Sequence, residues 1–401
     1  MIEKIKSAAR EHFEEIQRIR HHLHRNPELS FQEFETADFV EKKLKEIGIS
    51  RIQRMVKTGI VALIQGKNPE KKIIALRADL DALPIQEKNN TPYCSEKNGV
   101  MHACGHDVHT SCLLGAAMIL QQLRNDFEGT IKLIFQPGEE MLPGGASRMI
   151  EEGILQENTP QLIIAQHVFP SMETGKVGFR EGMYMASTDE IHLTIKGKGG
   201  HAAMPSEYIN PLLIASEILL ELNEFFMKRK HQNEKGEIIP CVLAFGKCVA
   251  DGATNVIPET LHLQGTFRTM DETWREKSHQ HITEVVHRIC EKASAKAGLN
   301  IVKGYPYLVN NPQLTSICRN AAQQYLGQEN VEELPLRMTA EDFAWFSQVL
   351  PSCFFRLGTG NTNKGITSGV HSPTFDVDEH SLEIGSGLMA WLSIHLLSEG
   401  N

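Results

Sequence analysis

Apolar positions along the chain change their period several times, and each change marks an element. Residues 3–24 carry Ile5, Ala8, Ala9, Phe13, Ile16, Ile19 and Leu23 at helical spacing, so a first helix is predicted that stops before Pro27. Ser30 and Glu33 read as a capping box opening a second helix through Leu44, with Gly48 as its stop. Short apolar runs at 59–64 and 72–81 predict strands, the second ending in Asp79 and Asp81. Residues 112–123 are apolar nearly all round and predict a buried helix. A strand at 129–135 runs into Gln136-Pro137-Gly138-Glu139-Glu140, a helix follows near 145–153, and a strand at 161–165 leads into Gln166-His167-Val168.

Strands alternating with helices predict an α/β fold, with a mostly parallel sheet covered by helices. In such sheets the chemistry gathers outside the carboxyl ends of the strands. Asp79, Asp81, Glu139, Glu140 and His167 all fall at or just past those ends.

From about residue 187 the texture changes. Residues 190–197 alternate as a half-buried strand does, and 198–205 form a glycine turn. A helix over 211–228, a polar loop at 231–237, strands at 240–250 and 258–269, and a helix over 274–297 ending at Gly298 follow. This predicts an inserted α+β domain over 187–303, an antiparallel sheet with two helices, inside a larger domain made of 1–186 and 304–401. The larger domain resumes with a helix at 312–326, a helix around 340–346, a strand at 352–358, a loop carrying His371 and a last helix at 381–397.

A chain of 401 residues is long for one core, which agrees with two domains. Its 41% hydrophobic and 23% charged residues are those of a globular protein. A net charge of −9 argues against a nucleic-acid partner, which would need a basic face. No apolar run is long enough for a membrane helix, and the charged start does not read as a signal peptide. Eight cysteines without framework spacing read as reduced thiols, so a cytoplasmic location is expected.

The stretch Met101-His102-Ala103-Cys104-Gly105-His106-Asp107-Val108-His109 concentrates a thiol, three imidazoles and a carboxylate. Cys104 and His106 are two apart, which is wrong for one helix face, but a loop can turn both to one point. A thiolate beside an imidazole is a transition-metal site by ligand type. A lone Cys-x-His is more often a buried cysteine beside a surface histidine. The strand-end residues elsewhere in the chain tip the balance towards metal. Glu139 and Glu140 are adjacent, and from an extended chain they point to opposite sides. His24 and Glu28, in the turn after the first helix, either approach this site or are solvated.

These motifs resemble the zinc-dependent exopeptidase superfamily of aminoacylases and carboxypeptidases. The amidohydrolase branch, with hippurate hydrolases, N-acyl-amino-acid deacylases and plant auxin-conjugate hydrolases, is the most similar. The carriers are Arg77-Ala78-Asp79-Leu80-Asp81-Ala82-Leu83-Pro84, Met101-His102-Ala103-Cys104-Gly105-His106-Asp107, Gln136-Pro137-Gly138-Glu139-Glu140, Gln166-His167-Val168, Gly199-Gly200-His201-Ala202-Ala203-Met204-Pro205, Asn255-Val256-Ile257-Pro258 and Val370-His371-Ser372-Pro373. Together they span nearly the whole chain.

The resemblance implies two divalent ions (zinc, manganese or nickel) held by Cys104, His106, Glu140, His167 and His371. Five ligands exceed the needs of one tetrahedral ion. The expected split is His106 and His167 on one ion, Glu140 and His371 on the other, with Cys104 between. Glu139 is the expected general base, acting on a water held by the ions. Leu80 stands where relatives outside this branch have a histidine ligand, and Asp81 is expected to orient His106 rather than to bind metal. His201 is expected to stabilise the oxyanion, from the partner subunit of a homodimer formed through the inserted domain. Asn255 and Arg268 are expected to hold a substrate carboxylate. The implied reaction is hydrolysis of N-acyl amino acids to a carboxylate and a free amino acid. A dipeptidase or carboxypeptidase on the same site is the alternative. A silent metal-binding protein is a further one, whose sign would be loss of Glu139; that residue is present.

Overall fold

A computed structural model describes residues 1–399 other than Lys235. Lys235 in the polar loop at 231–237, and Gly400 and Asn401 at the end of the expected larger domain, lie outside the described residues. The chain divides into two compact units. The first is Met1–Gly182 with Val309–Pro335 and Asp342–Asn401; the second is Met183–Leu308 with Leu336–Glu341.

The first unit is built on an eight-stranded sheet. Its strands run, edge to edge, Ile52–Met55, Gly59–Gln65, Thr130–Gln136, Ile73–Asp79, Ile163–Glu173, Ser352–Gly360, Val177–Phe179 and Val331–Glu333. The four central strands pair in parallel, and the pairs involving Gly59–Gln65 are antiparallel. Strands Thr130–Gln136 and Ser352–Gly360 are buried at every residue, as expected where helices cover both faces. Helix His106–Gln122 packs against Ile2–Arg25 and His380–Ser398, and its burial extends nearly all round.

The second unit has a four-stranded antiparallel sheet in the order Cys241–Ala250, Thr260–Thr269, Asp189–Lys196, Lys296–Lys303. Ile191, Leu193 and Ile195 alternate inward. They pack on Ile218 and Leu222 of helix Pro211–Phe226 and on Ile282 and Val286 of helix Glu272–Lys292. Asn210 and Asp271 cap these helices by accepting the Leu212 and Trp274 amides. The α/β class with a second α+β unit is therefore present.

Four details differ from the pattern reading. Helix His106–Gln122 starts six residues earlier than 112, because the hydroxyls of its polar start are satisfied: Thr110 donates to the Asp79 carbonyl at the end of a strand and Ser111 to that of Asp107 within the helix. The helix expected over 274–297 ends at Lys292; Ser294 takes φ 56°, and Lys296–Lys303 becomes a strand paired with Asp189–Lys196. The helix expected around 340–346 is only Ala344–Ser347. The expected capping box does not form: Glu28, not Ser30, accepts the Glu35 and Thr36 amides that open helix Phe34–Glu46.

Candidate metal centre

Gly105 sits at φ 81° immediately before the helix that begins at His106. A Cβ there would lie 2.6 Å from Val168 Cγ2, so both the backbone and the space demand glycine. This left-handed residue turns Cys104 and His106 towards one place. The ligand atoms of Cys104, His106 and His167 all lie within 4.8 Å of one another, and so do those of Cys104, Glu140 and His371. Cys104 Sγ is 3.5 Å from His167 Nε2, and Glu140 Oε1 is 3.3 Å from His371 Nε2 and 4.0 Å from His106 Nε2. The two triads thus share one sulfur. His167 lies inside strand Ile163–Glu173 rather than beyond its end, a correction to the strand-end placement.

Among the described residues, His106 Nε2 and Glu140 Oε1 are buried and meet no hydrogen bond of good geometry, although His371 Nε2 lies 3.3 Å from the carboxylate oxygen. Two such atoms a few ångströms apart need a common partner, because burying unpaired polar groups is costly. Thiol, imidazole and carboxylate together suit a borderline divalent cation. The residues present therefore fit divalent metal ions.

The surrounding groups orient the imidazoles. His106 Nδ1 faces Asp81 Oδ1 at 3.2 Å and His167 Nδ1 donates to the Val168 carbonyl at 2.8 Å, which leaves both Nε2 atoms free to ligate. The Val168 amide donates to His109 Nε2 at 2.9 Å, so His109 carries its proton on Nδ1 and gives it to Asp79 at 2.6 Å. His109 is thereby a brace for the strand beside His167. Burial would raise the Asp79 carboxyl, but His106, Arg77 and His109 hold it well below the ordinary range. Burial opposes ionisation of Asp81, but His106, the Ser30 hydroxyl and the Glu140 amide together hold its carboxyl below the ordinary range. Burial, then Glu140, pushes the Cys104 thiol up, so a thiolate there calls for a cation. His102 is buried with neither ring nitrogen hydrogen-bonded among the described residues, and burial pushes it down to about 4.

Glu139 lies beside the triads, with His106 and Glu140 within 4.8 Å. The Asp342 amide donates to its Oε1 at 3.3 Å. Asp342 is itself held by Arg77, Gln136 and the Ala146 amide. No sequence motif pointed to Asp342.

His24, open in the sequence, does not reach the ligands. It bridges Asp107 at 2.8 Å and Glu87 at 3.2 Å. Burial works against its charge, yet Asp107 outweighs it and His24 is raised to about 9. Arg20, wholly buried, joins Asp107 to Asp376 and Glu379. The first helix thus ties the start of the His106 helix to the segment that follows His371. An arginine on an apolar helix face was the only signal for it. Glu28 caps a helix, as described above, and is also away from the ligand set.

The remaining candidates lie in the second unit. His201 and Asn255 come together on the small ladder Gly200–His201 and Val256–Ile257, where the Ala202 amide donates to the Asn255 carbonyl. His201 Nδ1 accepts the Ala203 amide at 3.1 Å and its side chain is exposed. Arg268 lies on strand Thr260–Thr269 opposite Val242, partly buried, and burial lowers its pKa.

Residues 75–393 match the model of peptidase family M20/M25/M40. The chain is 38% identical over 364 residues to an N-acetyl-L-cysteine deacetylase of Bacillus subtilis, covering 91% of this chain and 84% of that protein. It is 35% identical over 397 residues to thermostable carboxypeptidase 2 of Saccharolobus solfataricus, covering 98% of each. The crystal structure of a dinuclear metal-binding peptidase of the M20 family from Bacillus subtilis superposes with a TM-score of 0.83 at 32% identity, over 98% of this chain and 99% of that one. A two-unit α/β fold with a donor set of this kind defines a metallo-hydrolase acting on amide bonds. The chain belongs to peptidase family M20/M25/M40.

Proposed function

We propose that this enzyme hydrolyses N-acyl amino acids to a carboxylate and a free amino acid. The observation that carries the reading is the pair of triads sharing Cys104, with Glu139 beside them. His106 and His167 would hold one divalent ion and Glu140 and His371 the other, with the Cys104 thiolate within reach of both groups. When bound, the ions acidify a water and polarise the scissile carbonyl. Glu139 takes the water proton and delivers it to the leaving nitrogen. Asp81 keeps His106 Nδ1 protonated and so keeps Nε2 turned to the metal. His201 stabilises the oxyanion, while Asn255 and Arg268 bind the substrate carboxylate.

The enzyme acts as a homodimer through its second unit, in the cytoplasm. Leu213 and Leu220, 69% and 71% exposed and two turns apart on one helix, support such an interface. Eight free cysteines agree with a reducing compartment. Sedimentation gives the test of the dimer; a monomer at micromolar concentration removes it.

The reaction is tested with hippurate and a panel of N-acetyl amino acids, each with manganese, nickel or zinc, reading release of the amino acid. Failure to release amine with any metal and acyl group would overturn the proposal. The likeness to a carboxypeptidase favours a second reading, peptide hydrolysis at the same site. Dipeptides in the same assay separate the two.

A further inference from the structure

Glu33 is a carboxylic residue with no exposed surface that the reaction above does not use. Its Oε1 accepts the Gly138 amide at 2.8 Å and the Phe31 amide at 2.9 Å, and its Oε2 accepts the Thr58 hydroxyl at 2.7 Å. Gly138 opens the turn that carries Glu139 and Glu140. The segment 30–33 makes a second tie: Ser30 donates to Asp81 Oδ2 at 2.6 Å, and that oxygen also accepts the Glu140 amide at 2.9 Å. The segment therefore holds the amides on both sides of Glu139.

Strain is concentrated at this junction. Phe31 takes φ 63°, and its ring lies so close over Gly138 that a Cβ there would come within 2.4 Å of it. Arg148 stacks on the ring, 4.2 Å from its centroid. Thr58 is delivered by a hairpin turn in which Val56 and Lys57 take φ 49° and 65°. A left-handed β-branched residue is uncommon, and strain of this kind persists where the surroundings impose it. Two strained turns thus converge on one buried carboxyl. Burial, then the neighbouring Asp81 carboxylate, pushes Glu33 up to about 7, so its neutral form is accessible near neutrality.

We infer that Glu33 is a positioning residue for the reaction. It clamps the Gly138 amide, and with the Ser30–Asp81 tie it aims Glu139 at the water. The inference rests on Glu139 acting as the base. Contacts of this geometry ask only for an acceptor towards Gly138 and Phe31 and a partner for Thr58. Glutamine supplies both, because its amide nitrogen can donate to the Thr58 oxygen. Alanine supplies neither.

The test uses the full-length enzyme loaded with metal and an N-acetyl amino acid that the wild type turns over. Glu33→Ala is expected to lower kcat about 100-fold, the scale of a small misplacement of a reacting group, with KM and bound metal unchanged. Glu33→Gln is expected to recover kcat to within about tenfold of wild type. If Glu33→Gln is as impaired as Glu33→Ala, charge rather than contact matters and the clamp is overturned. If Glu33→Ala keeps wild-type kcat, or loses kcat only in proportion to lost metal, it is overturned too. Should Glu33→Ala not fold, Ser30→Ala and Thr58→Val carry the test. Each is then expected to lower kcat two- to tenfold with metal retained, and no change in either sinks the idea. Glu139→Gln, measured alongside, is expected to lose about 1,000-fold or more in kcat. An active Glu139→Gln refutes the base itself, whatever the Glu33 variants do.

Discussion

The two triads that meet at Cys104 are built in contrasting ways. His106 and His167 stand on a helix and a strand, are buried, and have Nδ1 committed to Asp81 and to the Val168 carbonyl. Glu140 and His371 stand on turns. His371 is exposed, takes φ 62°, and is anchored by its own amide to the Ala103 carbonyl at 2.7 Å. Regular elements fix a ligand through the backbone ladder; turns fix it through individual side-chain and amide ties. The contrast predicts one tightly held ion and one that exchanges more easily.

Removing the shared donor should erase that contrast. Cys104→Ala takes a ligand from both triads, so metal content is expected to fall at both and turnover to drop by about 1,000-fold, the scale of a lost transition-state stabiliser. Two ions per chain with normal turnover in that variant would remove the sulfur from the centre.

Breaking one side at a time sharpens the contrast. His371→Gln is expected to bind one ion per chain by elemental analysis, with the His106–His167 ion retained. Stepwise dialysis of the wild type against a weak chelator should release the same ion first. Loss of both ions in one step would mean that the triads do not differ in strength.

A smaller effect is expected from the group that orients His106. Asp81→Asn leaves a neutral acceptor at Oδ1 and should weaken metal binding 10- to 100-fold, read by competition with a fluorescent chelator. Unchanged affinity would assign Asp81 to the Glu140 amide and Ser30 alone.

The smallest effect concerns stability and its pH dependence. His24 is raised to about 9 when folded and has an ordinary value near 6.5 when unfolded. Its contribution is therefore fully present below about pH 6.5 and is lost as pH rises through 9. Allowing for coupling to Asp107, that is about 2 kcal/mol. The Tm gap between wild type and His24→Gln should thus be wider at pH 6 than at pH 9.5. An equal gap at both would show that His24 contributes by packing rather than charge.

The comparison also shows what a linear reading can reach. The donor types and the order of strands and helices were legible, because each is local: a period of two or 3.6, a glycine, a short run of ligating residues. The polar first turn of the His106 helix was not legible, since its hydroxyls find partners within the helix and at Asp79 rather than in an apolar stripe. Ser30 and Glu33 have the spacing of a capping box, yet Asp81, Thr58 and Gly138 compete for their side chains and win. Glu28, two residues earlier, takes the cap in their place.

The sequence by itself determined the α/β class, the inserted second unit, and the chemical character of a thiol–imidazole–carboxylate centre. Those follow from periodicity and residue type, which act over a few positions. The tertiary structure alone decided that His109 is a brace, and that Asp342, Arg20 and Glu33 stand behind the ligands. Such contacts join residues from about 60 to more than 350 positions apart. Only the closing of the sheet and the burial of charge among matched partners bring them together.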